Sequence, residues 1–255
     1  MGKSENRSYA KDVNLEYYLR KSPGRADYWR KMAAPRFRMR TFLRLLAESR
    51  PASLVDMGCG SGELLGEIRR NFPQMRLCGL DLSSSLIEGN RRSYPSIEWH
   101  ALDLDCTQDF QSELVHVFDA VIASEIIEHL DNPLAFLKNA RELARPGNGM
   151  LFLSTQSGAI HETERRVGHK RHYSAAEMRV SLVDAGWNPV RIWNAGFPFH
   201  DLSKWFANIN PDSTMKKYSE QAYGVGQNLV CAMLRLAFRF NSGKRGAQLF
   251  AVASA

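Results

Sequence analysis

Apolar and polar positions fall along this chain in two alternating rhythms. Short apolar runs, Leu54–Met57, Met75–Leu80, Ile97–Ala101, Phe118–Ala123 and Met150–Ser154, have the length and density of strands buried on both faces. Between them, over Glu63–Phe72, Leu86–Arg92 and Pro133–Ala144, apolar residues return every three or four positions, which is the helical rhythm. Pro73 stops the first of these helices, Ser83 or Ser84 caps the second, and Pro146-Gly147-Asn148-Gly149 turns the chain into the fifth strand. Strand alternating with helix predicts a parallel sheet with crossover connections. Right-handed crossovers bring every strand's carboxyl end to one edge of that sheet, where Gly58, Asp81, Asp103 and Ser124 all arrive.

Outside this region the pattern changes. A helix is expected from about Pro35 to Ser49, with Phe37, Phe42, Leu45 and Leu46 as its core-facing stripe, and Pro23-Gly24 separates it from an earlier piece. Beyond Thr155 comes a polar stretch, Gln156–His172, holding His161, His169 and His172. Ser174 caps a helix running to about Ala185, Pro189–Asn194 reads as a strand, Gly196–Asn228 as irregular chain, Leu229–Phe240 as a strongly apolar helix and Gln248–Ser254 as the last strand.

Composition narrows the class. With 255 residues, 44% of them hydrophobic, the chain suits one α/β domain with appendages. It shows neither a run approaching the roughly 20 apolar residues of a membrane span nor an apolar segment behind its polar first residues, so a cytoplasmic protein is expected. Cys59, Cys78, Cys106 and Cys231 lack the short paired spacing of a zinc site or disulfide framework and read as reduced. The net charge of +7 resides in residues 1–50, where 13 Lys and Arg oppose 5 acids, interleaved with Tyr9, Tyr17, Tyr18, Tyr28 and Trp29. A second basic patch, Arg235, Arg239, Lys244 and Arg245, follows Val230. Such ends meet nucleic acid, anionic membrane or acidic ligands, or form solvated helical faces.

The chemistry concentrates at Asp56-Met57-Gly58-Cys59-Gly60-Ser61-Gly62, between the first strand and its helix. Glycines at alternate positions make a tight turn that lets a ligand approach the backbone. A dinucleotide turn needs a further glycine where Glu63 stands, and a carboxylate in the first helical turn repels phosphate. With Asp56 close by, the turn suits a cationic nucleoside without phosphate, a description that S-adenosylmethionine fits.

From Arg50 to Pro189 the sequence resembles a class I S-adenosylmethionine-dependent methyltransferase of the small-molecule type. The resemblance rests on the glycine loop, Gly79-Leu80-Asp81-Leu82-Ser83, Ala101-Leu102-Asp103-Leu104, Phe118-Asp119-Ala120-Val121, Ser124-Glu125-Ile126-Ile127-Glu128-His129-Leu130, Arg145-Pro146-Gly147 and Gly168-His169-Lys170-Arg171-His172-Tyr173-Ser174. It implies a Rossmann-like, seven-stranded, mostly parallel sheet whose last strand, Gln248–Ser254, runs antiparallel, with helices on both faces; the segments outside the match read as an N-terminal helical lid and a C-terminal insertion. The expected division is an arm over residues 1–50 and a methyltransferase domain over residues 51–255, with a substrate-side insertion over residues 196–247.

The implied donor site consists of Asp56, Gly58, Cys59, Gly60, Gly62, Asp81, Leu82, Asp103, Leu104, Ser124 and Glu125. Within it Asp81 takes the ribose hydroxyls, Asp103 the adenine amino group with Asp105 as its rival, and Ser124 and Glu125 flank the methionine moiety. A hydroxyl or amine acceptor must also lose a proton, so histidines near the site are candidate bases. His129, His172 and Tyr173 are taken as catalytic, with His161 and His169 nearby, and no metal is expected. The expected reaction is methyl transfer to a small-molecule acceptor, at a hydroxyl oxygen and on a hydrophobic or lipid-linked substrate. Rivals are N- or C-methylation, an RNA or protein methyltransferase, and a non-catalytic adenosylmethionine-binding protein. No Asn/Asp-Pro-Pro-Tyr motif follows the fourth strand, which argues against methylation of a base amino group. Peripheral membrane contact and a homodimer are the partner expectations, without nucleic acid.

Overall fold

The computed structural model of the chain describes residues 30–108, 110–218 and 223–255. The aromatic residues expected to line the N-terminal arm, Tyr9 to Trp29, lie outside the described residues. Seven strands form β1 (Ser53–Met57), β2 (Arg76–Asp81), β3 (Glu98–Ala101), β4 (Ala120–Ser124), β5 (Met150–Gln156), β6 (Asn188–Ala195) and β7 (Gln248–Ser254). They pair in the order β3-β2-β1-β4-β5-β7-β6. Every pairing from β3 to β5 is parallel, and β7 is antiparallel to both neighbours, as the resemblance implied.

All five residues of β1 are buried, because both faces of the sheet are covered. On one face, α1 (Ala33–Ser49), α2 (Glu63–Asn71) and α3 (Ser84–Ser93) pack Phe42, Leu46, Leu65, Ile68 and Ile87 against Leu54, Ile122 and Phe152. On the other, α4 (Pro133–Leu143) and α6 (Ala175–Asp184) pack Phe136, Leu137, Met178 and Leu182 against Val55, Met57 and Val121. Between β5 and α6 lies the short α5 (Glu162–Arg166). Caps sit where the sequence places them: Ser83 Oγ accepts the Leu86 N–H, and Ser174 and Glu177 satisfy each other's backbone N–H groups.

The stretch Gly196–Asn228 is a correction. Instead of irregular chain it contains α7 (Phe199–Ile209) and α8 (Pro211–Tyr218), and the apolar helix, α9, begins earlier and spans Val225–Ala237. The physical reason is that α7 turns Leu202, Trp205, Phe206 and Ile209 outward, so the usual polar outer stripe is missing. Strand order reverses between β1 and β4, which opens a crevice at their carboxyl ends.

Candidate functional site

The glycine loop leaves β1 through left-handed residues, with φ of 79° at Gly58, 52° at Gly60 and 72° at Gly62. It is fastened to β2: the N–H groups of Gly58 and Cys59 donate to the Leu80 carbonyl at 2.8 and 3.0 Å, and the Gly60 N–H donates to Asp81 Oδ2 at 2.8 Å. A Cβ at Gly58 would fall 2.2 Å from Ile126 Cδ1, whereas one at Gly60 would meet nothing within 4 Å because that backbone faces open space. Gly58→Ala is therefore expected to destabilise the chain by roughly 1–3 kcal/mol, from left-handed strain and the Ile126 clash. A denaturant titration checks this, and an unchanged midpoint would show that the loop relaxes freely.

Beside the loop, β1, β2, β4 and the linkers that follow β3 and β4 wall a cavity of about 910 Å³, near the top of the roughly 300–1,000 Å³ range of small-molecule sites. The proposed donor residues Asp56, Gly58, Cys59, Gly60, Asp81, Leu82, Asp103, Leu104, Ser124 and Glu125 line it. Gly62 does not: it starts α2, where a Cβ would fall 2.7 Å from Trp99. Asp56 is buried, and its Oδ1 has no hydrogen-bond partner among the described residues. Burial, then the Asp81 charge, pushes its carboxyl up to about 7. An orphaned carboxylate oxygen beside an open glycine backbone fits a ligand that brings a cation, such as the ammonium and sulfonium groups of S-adenosylmethionine.

Asp81 is held by one backbone donor on each oxygen, Gly60 N–H on Oδ2 and Ser83 N–H on Oδ1 at 3.0 Å, which leaves each oxygen a lone pair. Asp105, the rival to Asp103, also lines the cavity, and its carboxylate accepts the Asp131 and Asn132 N–H groups at 3.0 and 2.7 Å. Glu125 has a left-handed φ of 53° and sits at the carboxyl end of β4. Its carboxylate accepts Gln156 Nε2 at 2.6 Å, Gln248 Nε2 at 2.8 Å and Ser154 Oγ at 3.1 Å, with the Arg38 guanidinium at 3.6 Å. Burial works to raise its pKa, but Arg38 and the two amides outweigh burial and hold it at about 2.

The histidines divide into wall and backing. His129, in the 3-10 turn Ile127–His129, and His169 both line the cavity, their rings edge to face at 4.7 Å between centroids. His172 and Tyr173 do not line it, a correction to their expected placement. His172 stands behind His169, with its Nε2 3.0 Å from His169 Nδ1 and its Nδ1 3.0 Å from the Gly158 carbonyl. Tyr173 belongs to the core beneath β5, where its N–H donates to the Gln156 carbonyl. His161 begins α5 at the surface.

Burial lowers the pKa of His129 to about 4 and, helped by His129, that of His169 to about 3, so both rings are neutral near pH 7. One tautomer set satisfies the neutral chain: His172 donates from Nδ1 to Gly158, His169 donates from Nδ1 to His172 Nε2, and His169 keeps its lone pair on Nε2. Glu128 is fully buried under this pair, accepts Thr155 Oγ1 at 2.8 Å, and has its pKa pushed well up by burial and by Glu125. One ligand atom each from Glu128, His129 and His169 lie within 4.8 Å of one another.

Reading the sequence missed several polar lining groups: Arg38, Gln156, Glu164 and Lys204. Lys204 joins Glu164 at 2.6 Å and Gln156 at 3.1 Å, tying α7 to β5 and α5. No local motif marks them, because their partners are distant in sequence.

Comparisons with known proteins agree with this geometry. A family model described as a methyltransferase domain matches residues 28–192. A ubiquinone biosynthesis O-methyltransferase of Parvibaculum lavamentivorans is 26% identical over 79% of this chain and 83% of its own. A malonyl-[acyl-carrier protein] O-methyltransferase of Halalkalibacterium halodurans is 29% identical over 49% of this chain, and this chain spans about half of that relative's length, 47%. Among solved structures, a protein described as a putative sarcosine dimethylglycine methyltransferase from Galdieria sulphuraria superposes with a TM-score of 0.57 at 13% identity, over 85% of this chain and 84% of that one. Taken with the glycine loop, the acidic end of β2 and the sheet order, these matches place the chain in the class I S-adenosylmethionine-dependent methyltransferase family.

Proposed function

We propose that the chain transfers the methyl group of S-adenosylmethionine to a hydroxyl oxygen of a small, largely apolar acceptor. The observation that carries this is the continuity of one cavity. It runs from Asp81 and the glycine loop, past His129 and His169, to an apolar wall of Phe206, Ile209, Val230, Leu234 and Phe238. The names of the relatives above, both O-methyltransferases, support oxygen as the receiving atom.

Bound S-adenosylmethionine supplies an electrophilic methyl on a sulfonium. Toward that ligand, Asp81 holds the ribose diol, Asp103 the adenine amino group against Leu104, and Asp56 the ammonium. Ser124 and Glu125 flank the methionine chain, and Arg38 with the Gln156 and Gln248 amides holds the Glu125 carboxylate in place. Helices α1, α7 and α9 wall the acceptor end of the cavity. Fixing acceptor and methyl in line supplies up to about 7–11 kcal/mol of the barrier. His169 Nε2 takes the hydroxyl proton, and His172 is a positioning residue that fixes the His169 tautomer.

Incubation with methyl-deuterated S-adenosylmethionine and a panel of apolar phenols and alcohols tests the reaction by mass spectrometry. Label in an ether methyl, matched by adenosylhomocysteine, is the expected result; label on nitrogen or carbon overturns the choice of oxygen. The Glu128, His129 and His169 spacing favours a second reading, a bound divalent cation in place of a free imidazole base. Turnover lost to a chelator and restored by metal would establish it. The pH profile separates the two further. A base acts unprotonated, so a lowered pKa extends activity toward acid, and kcat is expected to show no acid limb at the ordinary histidine value of about 6.5. A limb at or above that value would remove buried His169 as the base.

A further inference from the structure

The helices that close the acceptor end carry a second apolar surface on their outer side. Toward the protein, α9 buries Cys231 and turns Val230 and Leu234 to the cavity wall. Away from it, Val225, Leu229, Met233 and Leu236 follow one another at spacings of three or four, and Phe240 stands in the 3-10 turn Phe238–Phe240 that follows; each is more than half exposed, up to 88% at Val225. Such spacing draws one stripe along a helix. The outward residues of α7, Leu202, Trp205, Phe206 and Ile209, add to it, with Trp205 58% exposed. A helix apolar on both sides has two apolar environments, and the described residues supply only one of them.

Charge identifies the other. Residues 223–247 contain Arg235, Arg239, Lys244 and Arg245 and no acid. Arg36 and Arg40 of α1 join them, for the Arg40 guanidinium feels Arg36, Arg239 and Arg235 at once. An apolar stripe of Trp, Phe, Leu and Met flanked by Arg and Lys is the composition of a helix lying in a lipid headgroup region. Two copies of this chain pairing through the same face by a two-fold axis would set these like charges against each other. No described helix is long and apolar enough to cross a membrane.

We propose that the outer face of α7 and α9 docks on an anionic lipid bilayer, with α9 lying in the interface plane. Phe206 and Ile209, both more than half exposed, belong to this face and to the cavity wall alike, so docking would set that wall against the lipid. A bilayer-dissolved acceptor would then reach the donor site without passing through water. That consequence rests on the acceptor proposed above; the docking does not.

Co-sedimentation of the full chain with phosphatidylcholine vesicles, with and without phosphatidylglycerol, tests the docking, and S-adenosylmethionine calorimetry on the same samples reports the donor site independently. Binding is expected to the anionic vesicles and to weaken in high salt. The double variant Met233→Gln, Phe240→Gln should lower the partition coefficient at least about tenfold, and Arg239→Gln, Arg245→Gln about fivefold per charge removed. Circular dichroism and retained donor binding verify folding of both variants. A wild-type chain that stays with neither vesicle while still binding S-adenosylmethionine overturns the proposal, as does vesicle binding that the apolar pair leaves unchanged. A concentration-dependent dimer in sedimentation velocity, abolished by Met233→Gln, Phe240→Gln, would overturn it too and give the face to a second copy.

Discussion

Asp81→Ala is expected to weaken S-adenosylmethionine binding by roughly 10²–10⁴-fold. Each hydrogen bond to a charged acceptor contributes about 1.5–3 kcal/mol, a vicinal diol makes two, and about 1.4 kcal/mol is a factor of ten. Asp81 is prepared for this, because the Gly60 and Ser83 N–H groups hold one oxygen each and fix the carboxylate plane at the end of β2. The same substitution strips those two N–H groups of their acceptor at a cost of about 1–3 kcal/mol each, so calorimetry belongs well below the variant's melting temperature. Asp81→Asn preserves the shape and one acceptor oxygen, and its loss should be about tenfold. Unchanged affinity in Asp81→Ala would remove this residue from the donor site, whereas equal losses in both variants would point to collapse of the loop.

His169→Ala should lower kcat by roughly 10²–10⁴-fold, the usual contribution of a positioned acid or base, with little change in donor affinity. Its claim over His129 rests on two observations. His169 is only half-buried where His129 is 7% exposed, and its Nδ1 proton is committed to His172, so the Nε2 lone pair remains for the acceptor. His172→Phe removes the partner that fixes this tautomer while leaving His169 in the wall. It is expected to lower kcat by a smaller factor and to leave KM for the donor unchanged, whereas His172→Gln, which can still accept from Nδ1, should recover much of the loss. Full activity in His169→Ala, or losses confined to His129→Ala, would transfer the role to His129.

The parallel half of the sheet was legible because its signals are local: apolar runs, helical periodicity, serine caps and glycines at positive φ all lie within a few residues. So was the edge on which Asp81, Asp103, Ser124 and Glu125 gather, since topology follows from crossovers of one hand. What escaped depended on distant partners. Nothing near Asp105 shows that its carboxylate caps the Asp131 and Asn132 amides, and nothing near Arg38 shows that it meets Glu125. Among the histidines, the place of the segment after the fifth strand brought His169, His172 and Tyr173 to the right neighbourhood. Contacts distant in sequence, the Lys170 N–H to the Glu128 carbonyl and the Tyr173 N–H to the Gln156 carbonyl, fix the chain so that His169 faces the cavity while His172 and Tyr173 stand behind it. Helix α7 carries the helical spacing, with Leu202, Trp205, Phe206 and Ile209 on one face. Gly196 and Pro198 before it and Asn210-Pro211 after it are turn formers, so the segment read as irregular, and its apolar face points outward rather than to the core.

The position of β7 also orders events in time. In the sheet it separates β5 from β6, yet it leaves the ribosome after both, and it pairs Met150 with Ser254 across more than a hundred residues. Until it arrives, β6 has no strand to pair with and β5 offers an open edge, because among the described residues β6 bonds only to β7. The nascent chain therefore holds two unpaired edges through the synthesis of α7, α8 and α9, the interval in which chaperones and unwanted strand partners compete for it.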